Sequence, residues 1–275
     1  MLWFVILLPM FALILLRFSD TCREQHHINY LRQQQPRQPP QFATSMLTEQ
    51  PEGVQRYFNF SIAAGTPLYR VADIRMQGWF SLGNKQAPNY LRMSARQVLA
   101  APTGFIWQMQ AQKGWLRLSG SDSESWTRFW LFGIVPVARF GANADHQRAA
   151  FGRYIAEALF WSPAALLPAP GIVWRQLSST EIEVTVQYQQ LCQSAVLTLK
   201  ENGEPSAVTF QRWSNANPEK IYREQPFGGY LSQFKDFAGF RLPTHVEAGN
   251  QFGSNDYFPF FIADITDVYF AAHEP

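Results

Sequence analysis

Arg153 and Glu157 stand four residues apart in the run DHQRAAFGRYIAEALFWSP, a spacing that sets them side by side on one helical surface. Two readings stay open for such a pair. It is a helix salt bridge contributing roughly 0.3–0.5 kcal/mol, or it marks the polar mouth of an apolar pocket. Phe151, Phe160 and Trp161 surround the pair in sequence, and Trp107 lies in an alternating segment upstream. The candidate ligand-binding set is therefore Trp107, Phe151, Arg153, Glu157, Phe160 and Trp161. A second group comprises Arg75, Arg92, Arg96, Arg117 and Arg128, set in successive predicted strands near Trp79, Trp107, Trp115 and Trp126. On a shared face these guanidinium groups would hold an anionic head group above an apolar tail. On the wet face of a sheet they would be ordinary solvated arginines.

No catalytic, metal or cofactor constellation is read from the rest. His26, His27, His146, His245 and His273 show no metal-ligand spacing, and no GxSxG elbow, P-loop or GxGxxG occurs. Asp236, Asp264 and Asp267 read as surface or turn carboxylates. Cys22 and Cys192 form no CxxC or zinc pattern. Cys22 follows an apolar run, but Asp20 stands where a lipidation signal needs small apolar residues. A formal charge of +2 with no Lys/Arg run argues against a nucleic-acid partner.

These side chains need elements to hold them. The run from Asp145 to Ser162 predicts a helix, capped by Asn143 or Asp145 and stopped by Pro163. Ala149, Phe151, Ile155, Ala158, Leu159 and Ser162 share its apolar side. Gly152 costs about 1 kcal/mol against Ala there, which fits a close approach to a strand or an unexplained glycine. The loop ALLPAPG that follows reads as core plug or cavity lid. A short helix begins after Pro51, with Val54, Tyr57 and Phe58 on one side.

From Leu68 the pattern switches to period two. Ile74, Met76, Gly78, Phe80 and Leu82 oppose Arg75, Gln77, Trp79 and Ser81. Ile182, Val184, Val186 and Tyr188 oppose Glu183, Thr185 and Gln187. Similar runs, separated by turn signals, recur near 90–99, 103–112, 114–120, 124–132, 193–200, 205–213, 228–237, 240–250 and 258–270. The expected fold is mainly β (α+β), a curved antiparallel half-barrel of about ten to twelve strands covered by a helix. The 15% aromatic content suits either an aromatic β core or a ring-lined cavity. One domain over 46–275 is expected.

Met1 to Leu16 carries no charged side chain. As a helix it would extend ~24 Å, and Arg17 and Phe18 make spanning feasible. No basic residue precedes it and no A-x-A-like site follows, so residues 1–18 read as a transmembrane anchor or uncleaved signal. Residues 19–45, rich in Gln and Pro, read as a tether.

Three segments carry a resemblance: PEGVQRYF at Pro51–Phe58, Arg96 and Gln97 followed by Gly104, Phe105 and Trp107, and FGRYIAEALFWSPAALLP from Phe151 to Pro168. They resemble a family of uncharacterised bacterial membrane-anchored proteins, a domain-of-unknown-function family, over the body from about residue 48. The chain departs from that pattern in its Gln/Pro segment and around Leu118–Ser125. The family is similar in layout to lipoprotein-carrier half-barrels of the Lol type, and the resemblance implies a curved sheet closed by helices over an apolar cavity. It brings no catalytic residues.

The expected function is a membrane-tethered, noncatalytic domain that binds a lipid or other amphiphile. An assembly factor for another membrane protein, and a hydrolase on a lipid-like substrate, are the alternatives. The expected location is the bacterial inner membrane. The arginines after the apolar segment pull the body to the cytoplasm; the carrier-like layout pulls it to the periplasm.

Overall fold

The computed structural model describes the backbone of residues 2–270 and the side chains of residues 9–270. Alternation sorts the strands onto two faces. In β1 (Ala72–Ser81), Ile74 and Met76 are buried while Arg75 and Trp79 are exposed. The same rule builds β2 (Tyr90–Ala100), β3 (Gly104–Lys113), β4 (Leu116–Ser123), β5 (Trp126–Leu131) and β6 (Val135–Gly141). After a long helix crossing come β7 (Ile172–Gln176), β8 (Glu181–Tyr188), β9 (Leu191–Leu199), β10 (Pro205–Ser214), β11 (Arg223–Phe237), β12 (Phe240–Asn250) and β13 (Phe258–Tyr269).

All thirteen join one antiparallel sheet in the order β6-β5-β4-β3-β2-β1-β13-β12-β11-β10-β9-β8-β7. The first half of the chain thus forms one wing, the second half the other, and β1 pairs with β13 to seam them. The strand count exceeds the expected ten to twelve. The additions include β6 and β7, the two sheet edges, which pair on one side only and bury little. Pro136 within β6 is tolerated there because an edge strand leaves one row of amides unpaired.

Helix α2 (Glu52–Ser61) buries Val54, Tyr57 and Phe58, and the Tyr57 hydroxyl donates to the Leu159 carbonyl. Helix α3 (Ala144–Trp161) lies on the concave face. The Asn143 side chain caps it, accepting from the His146 amide at 2.8 Å. Phe151, Ile155, Ala158 and Leu159 are buried in the main core. A short turn follows over Pro163–Leu166, with all four residues buried, so the loop begins as a core plug, while its end at Ala169, Pro170 and Gly171 is exposed.

Helix α1 (Leu2–Arg32) corrects the expected tether in its first half. Residues 19–32 are helical and lie on the convex face, where Ile28 and Leu31 pack with Val71, Val98, Ala100 and Ile106. Polar side chains at helical spacing do the rest: Asp20, Glu24, His27 and Arg32 each reach a partner on the sheet. Beyond the helix, the Gln35 side chain accepts from the Arg70 and Val71 amides at 2.7 and 3.0 Å. Arg32 and Gln35 thus bind the sheet and the segment leading into it, while Gln33, Gln34 and Arg37 stay exposed. Among the described residues no helix is long and apolar enough to cross a membrane. The first eight residues of the anchor expected over 1–18 lie outside the described side chains.

Candidate functional site

Between α3 and the concave face lies a cavity of about 310 Å³, within the roughly 300–1,000 Å³ range of small-molecule sites. Its floor is an arc of rings. Phe129, Trp107, Phe80, Phe260, Phe227 and Phe210 follow one another from β5 to β10, with successive ring centroids 6.4, 5.9, 5.9, 5.9 and 5.4 Å apart. These spacings and tilted orientations are favourable for aromatic pairs.

The roof is α3. Arg153, Glu157 and Phe160 sit at steps of four and three and share the cavity face with Trp161. Five of the six candidate residues therefore wall one space: Trp107, Arg153, Glu157, Phe160 and Trp161. Phe151 does not. Two residues before Arg153, it points about 200° away around the helix and is buried in the core, edge-on to Tyr154 at 5.4 Å. Tyr154 in turn donates to the Pro102 carbonyl at 3.0 Å. Gly152 marks a close approach, since a Cβ there would stand 2.6 Å from the Gln193 amide oxygen and 3.3 Å from the Phe210 ring.

Arg153 does more than bridge one helical turn. It donates to Glu157 at 2.8 Å and to Asp122 of β4 at 2.7 Å, with its guanidinium above the Phe105 and Trp107 rings. Burial works against its charge, but Glu157 and Asp122 outweigh it and raise its pKa. Gln97 donates to the other Glu157 oxygen at 2.6 Å, and the Thr127 hydroxyl donates to Asp122. Both carboxylates are thus engaged. His146, also on the wall, turns its Nε2 to the Ser123 carbonyl at 2.9 Å.

The cavity holds a second arginine that sequence reading missed. Arg212 of β10 lies over the Phe227 ring at 4.8 Å, and its Nε is enclosed without a hydrogen-bond partner. Burial, followed by repulsion from Arg153, lowers its pKa to about 10, so it stays charged at neutral pH. The signal was present: Val208, Phe210 and Arg212 alternate onto one face, and the first two are buried.

The strand arginines take the opposite place from the one a head-group site needs. Arg75, Arg92 and Arg117 are exposed. Arg96 pairs with Asp73 and Arg128 with Asp20 on the convex face. Trp107 alone of their four tryptophan neighbours lines the cavity. Period two explains this: Arg75 and Arg96 alternate with the inward Ile74 and Ala95, not alongside them.

Comparison with known proteins gives one sequence match. The profile of DUF6544, described as a family of unknown function, matches residues 40–262. No curated protein matches the chain. Among solved structures, a LolA superfamily protein of Nitrosomonas europaea is similar with a TM-score of 0.40 and 11% identity, covering 80% of this chain and 92% of its own. A domain of Vibrio parahaemolyticus described as an outer membrane lipoprotein-sorting protein has a TM-score of 0.40 and 9% identity, covering 84% of this chain and 93% of its own.

Proposed function

The chain belongs to the DUF6544 family, and on that premise we propose that it is a membrane-tethered, noncatalytic domain that binds a lipid or other amphiphile. The observation that carries this reading is the ring-floored cavity of about 310 Å³ beneath α3. An apolar trough with a few polar groups at one wall suits a molecule that is apolar along its length and polar at one end. Trp107, Phe160 and Trp161 would contact the tail, with Arg153 and Glu157 ordering the wall. Native mass spectrometry of the full chain is expected to show a bound amphiphile, and a fluorescent fatty acid should be taken up and displaced by unlabelled acid. Protein that is always ligand-free and ignores the fluorescent acid would overturn the reading.

The tether is supported by the course of α1. Passing backwards along the helix, Asp20 meets Arg139 and Arg128, and Arg17 then stacks over Trp130 at 5.5 Å. The helix therefore heads for the β5–β6 hairpin, where Met10, Phe11, Ile14, Leu15 and Phe18 are exposed. In this reading the body faces the periplasm. The exposed thiol of Cys192 tests that placement: a membrane-impermeant maleimide should label it in cells with a permeabilised outer membrane, and labelling only after lysis would place the body in the cytoplasm.

One observation favours a second reading, an assembly factor for another membrane protein. Trp115 and Phe132, on neighbouring hairpin tips, are exposed and stacked at 5.5 Å, with Ile134 and Val135 exposed beside them. A stoichiometric partner lost on Trp115→Ser substitution would support it over the first.

A further inference from the structure

The cavity's polar atoms are lopsided. Three buried nitrogens lack any hydrogen-bond partner and belong to residues that wall it: Trp107 Nε1, Trp161 Nε1 and Arg212 Nε. All three are donors, and none can accept. A buried donor left unsatisfied is costly; these three are enclosed within the wall, so a ligand's acceptor would reach them after a small side-chain shift. One buried acceptor, Gln97 Oε1, is also unpartnered, but its residue is not among those walling the cavity.

The wall's charges balance in number but not in pairing. The described cavity wall carries two arginines and two carboxylates, besides His146. Arg153 is committed to both Asp122 and Glu157. Among the described residues Arg212 has no carboxylate within ion-pair distance and rests over the Phe227 ring instead, with Asp122 and Glu157 acting on it from further off. A guanidinium with no ion-pair partner retains a planar donor fork, the geometry that matches two oxygens of one acid. The neighbouring rings supply the apolar channel for whatever the acid is attached to.

We propose that the cavity selects amphiphiles whose head is an acidic group with paired oxygens, a carboxylate or a phosphate, and that Arg212 is the residue that anchors it. This rests on the amphiphile-binding reading above and adds the class of head group. Arg153 has a different part: it hydrogen-bonds both Asp122 and Glu157 and offsets one of their two charges, so that an incoming anion does not meet two bare carboxylates.

Three photoactivatable probes sharing one sixteen-carbon chain separate the possibilities: a fatty acid, an alkyl phosphate and the uncharged fatty alcohol. The full chain is labelled with each in the presence of phosphatidylcholine vesicles, and the peptides carrying Phe210 and Phe227 are quantified. The acid or the phosphate should label these peptides about ten-fold or more over the alcohol, the size expected for one charge-assisted hydrogen-bonded contact. Whichever acidic probe labels more identifies the source of the oxygens. In Arg212→Met the preference should shrink to about two-fold while alcohol labelling persists, and Arg212→Lys should retain part of it. Equal labelling by alcohol and acids in the unsubstituted chain, which needs no variant to fold, would overturn the assignment but leave the amphiphile reading standing. Failure of all three probes to reach the cavity peptides would overturn both.

Discussion

Arg153 and Arg212 wall the same cavity but differ in what each can still bind. Arg153 donates to Glu157 and Asp122, whose side chains are 14% and 21% exposed. Replacing it with Met keeps an apolar stem and removes the one partner among the described residues that bridges both carboxylates. Breaking a buried pair costs about 3–5 kcal/mol; with these groups partly wet, about 3 kcal/mol is expected for Arg153→Met in urea unfolding. A loss below about 0.5 kcal/mol would show a surface-type bridge instead. The spacing of Arg153 and Glu157 made their contact legible in sequence. Asp122, which joins them from β4, was not, because nothing local in Leu118–Ser123 says which strand faces α3.

At the scale of elements, α1 is held by charge as much as by apolar contact. Asp20 accepts from Arg139 Nη1 and Nη2 at 2.5 and 3.0 Å and from the Trp130 indole at 3.2 Å. Burial alone would raise its pKa, but the hydrogen bond and charge of Arg139, with Arg128 and Trp130, prevail and hold it below the usual aspartate range. Asp73 is likewise lowered against burial by Arg96 and Arg32, and Glu124 by His27 and Ser125. Carboxylates with depressed folded-state pKa values lend stability above their unfolded values and lose it as pH falls through the folded ones. Docking of α1 should therefore be full at neutral pH and weaken below pH ~4. A spin label on Cys22, exposed on α1, reads this in a Cys192→Ser background: its spectrum should become mobile on acidification. Asp20→Ala should mobilise it at neutral pH, since about 2–3 kcal/mol of buried polar contact is lost. Unchanged line shapes in both cases would mean that α1 is held by its apolar residues alone.

At the scale of the whole molecule, the two wings curve until both reach α3. Asp122 and Trp107 come from the first half of the chain and Phe210, Arg212 and Phe227 from the second, yet all five wall one cavity. The cavity exists only when the β1–β13 seam is closed and α3 is seated. A ligand that binds there should therefore stabilise the fold as a unit. Palmitate at about one hundred times its dissociation constant should add ~2.7 kcal/mol, raising the melting temperature by roughly 5–10 °C in a chain of this size. A saturating acid that binds without shifting the melt would place its site outside this junction.

Local pattern carried the elements. Period two in runs such as Glu181–Tyr188, the cap and proline stop around α3, and the small turn residues were enough for an antiparallel sheet with a covering helix, because each reflects a choice made within a few residues. The same pattern singled out Trp107, Arg153, Glu157, Phe160 and Trp161, which the fold brings to one cavity wall. Curvature, the two edge strands and the docking of α1 depend on surfaces that meet from distant parts of the chain. Asp20, Glu24 and His27 look like residues of a solvated tether until Arg139, Ser121 and Glu124 are seen opposite them. Arg212 looks like one more arginine until folding encloses it beside a carboxylate pair that is already occupied. Sequence states what a side chain is able to bind; only the tertiary structure decides which partners are left for it, since desolvation and pairing are properties of the assembled site.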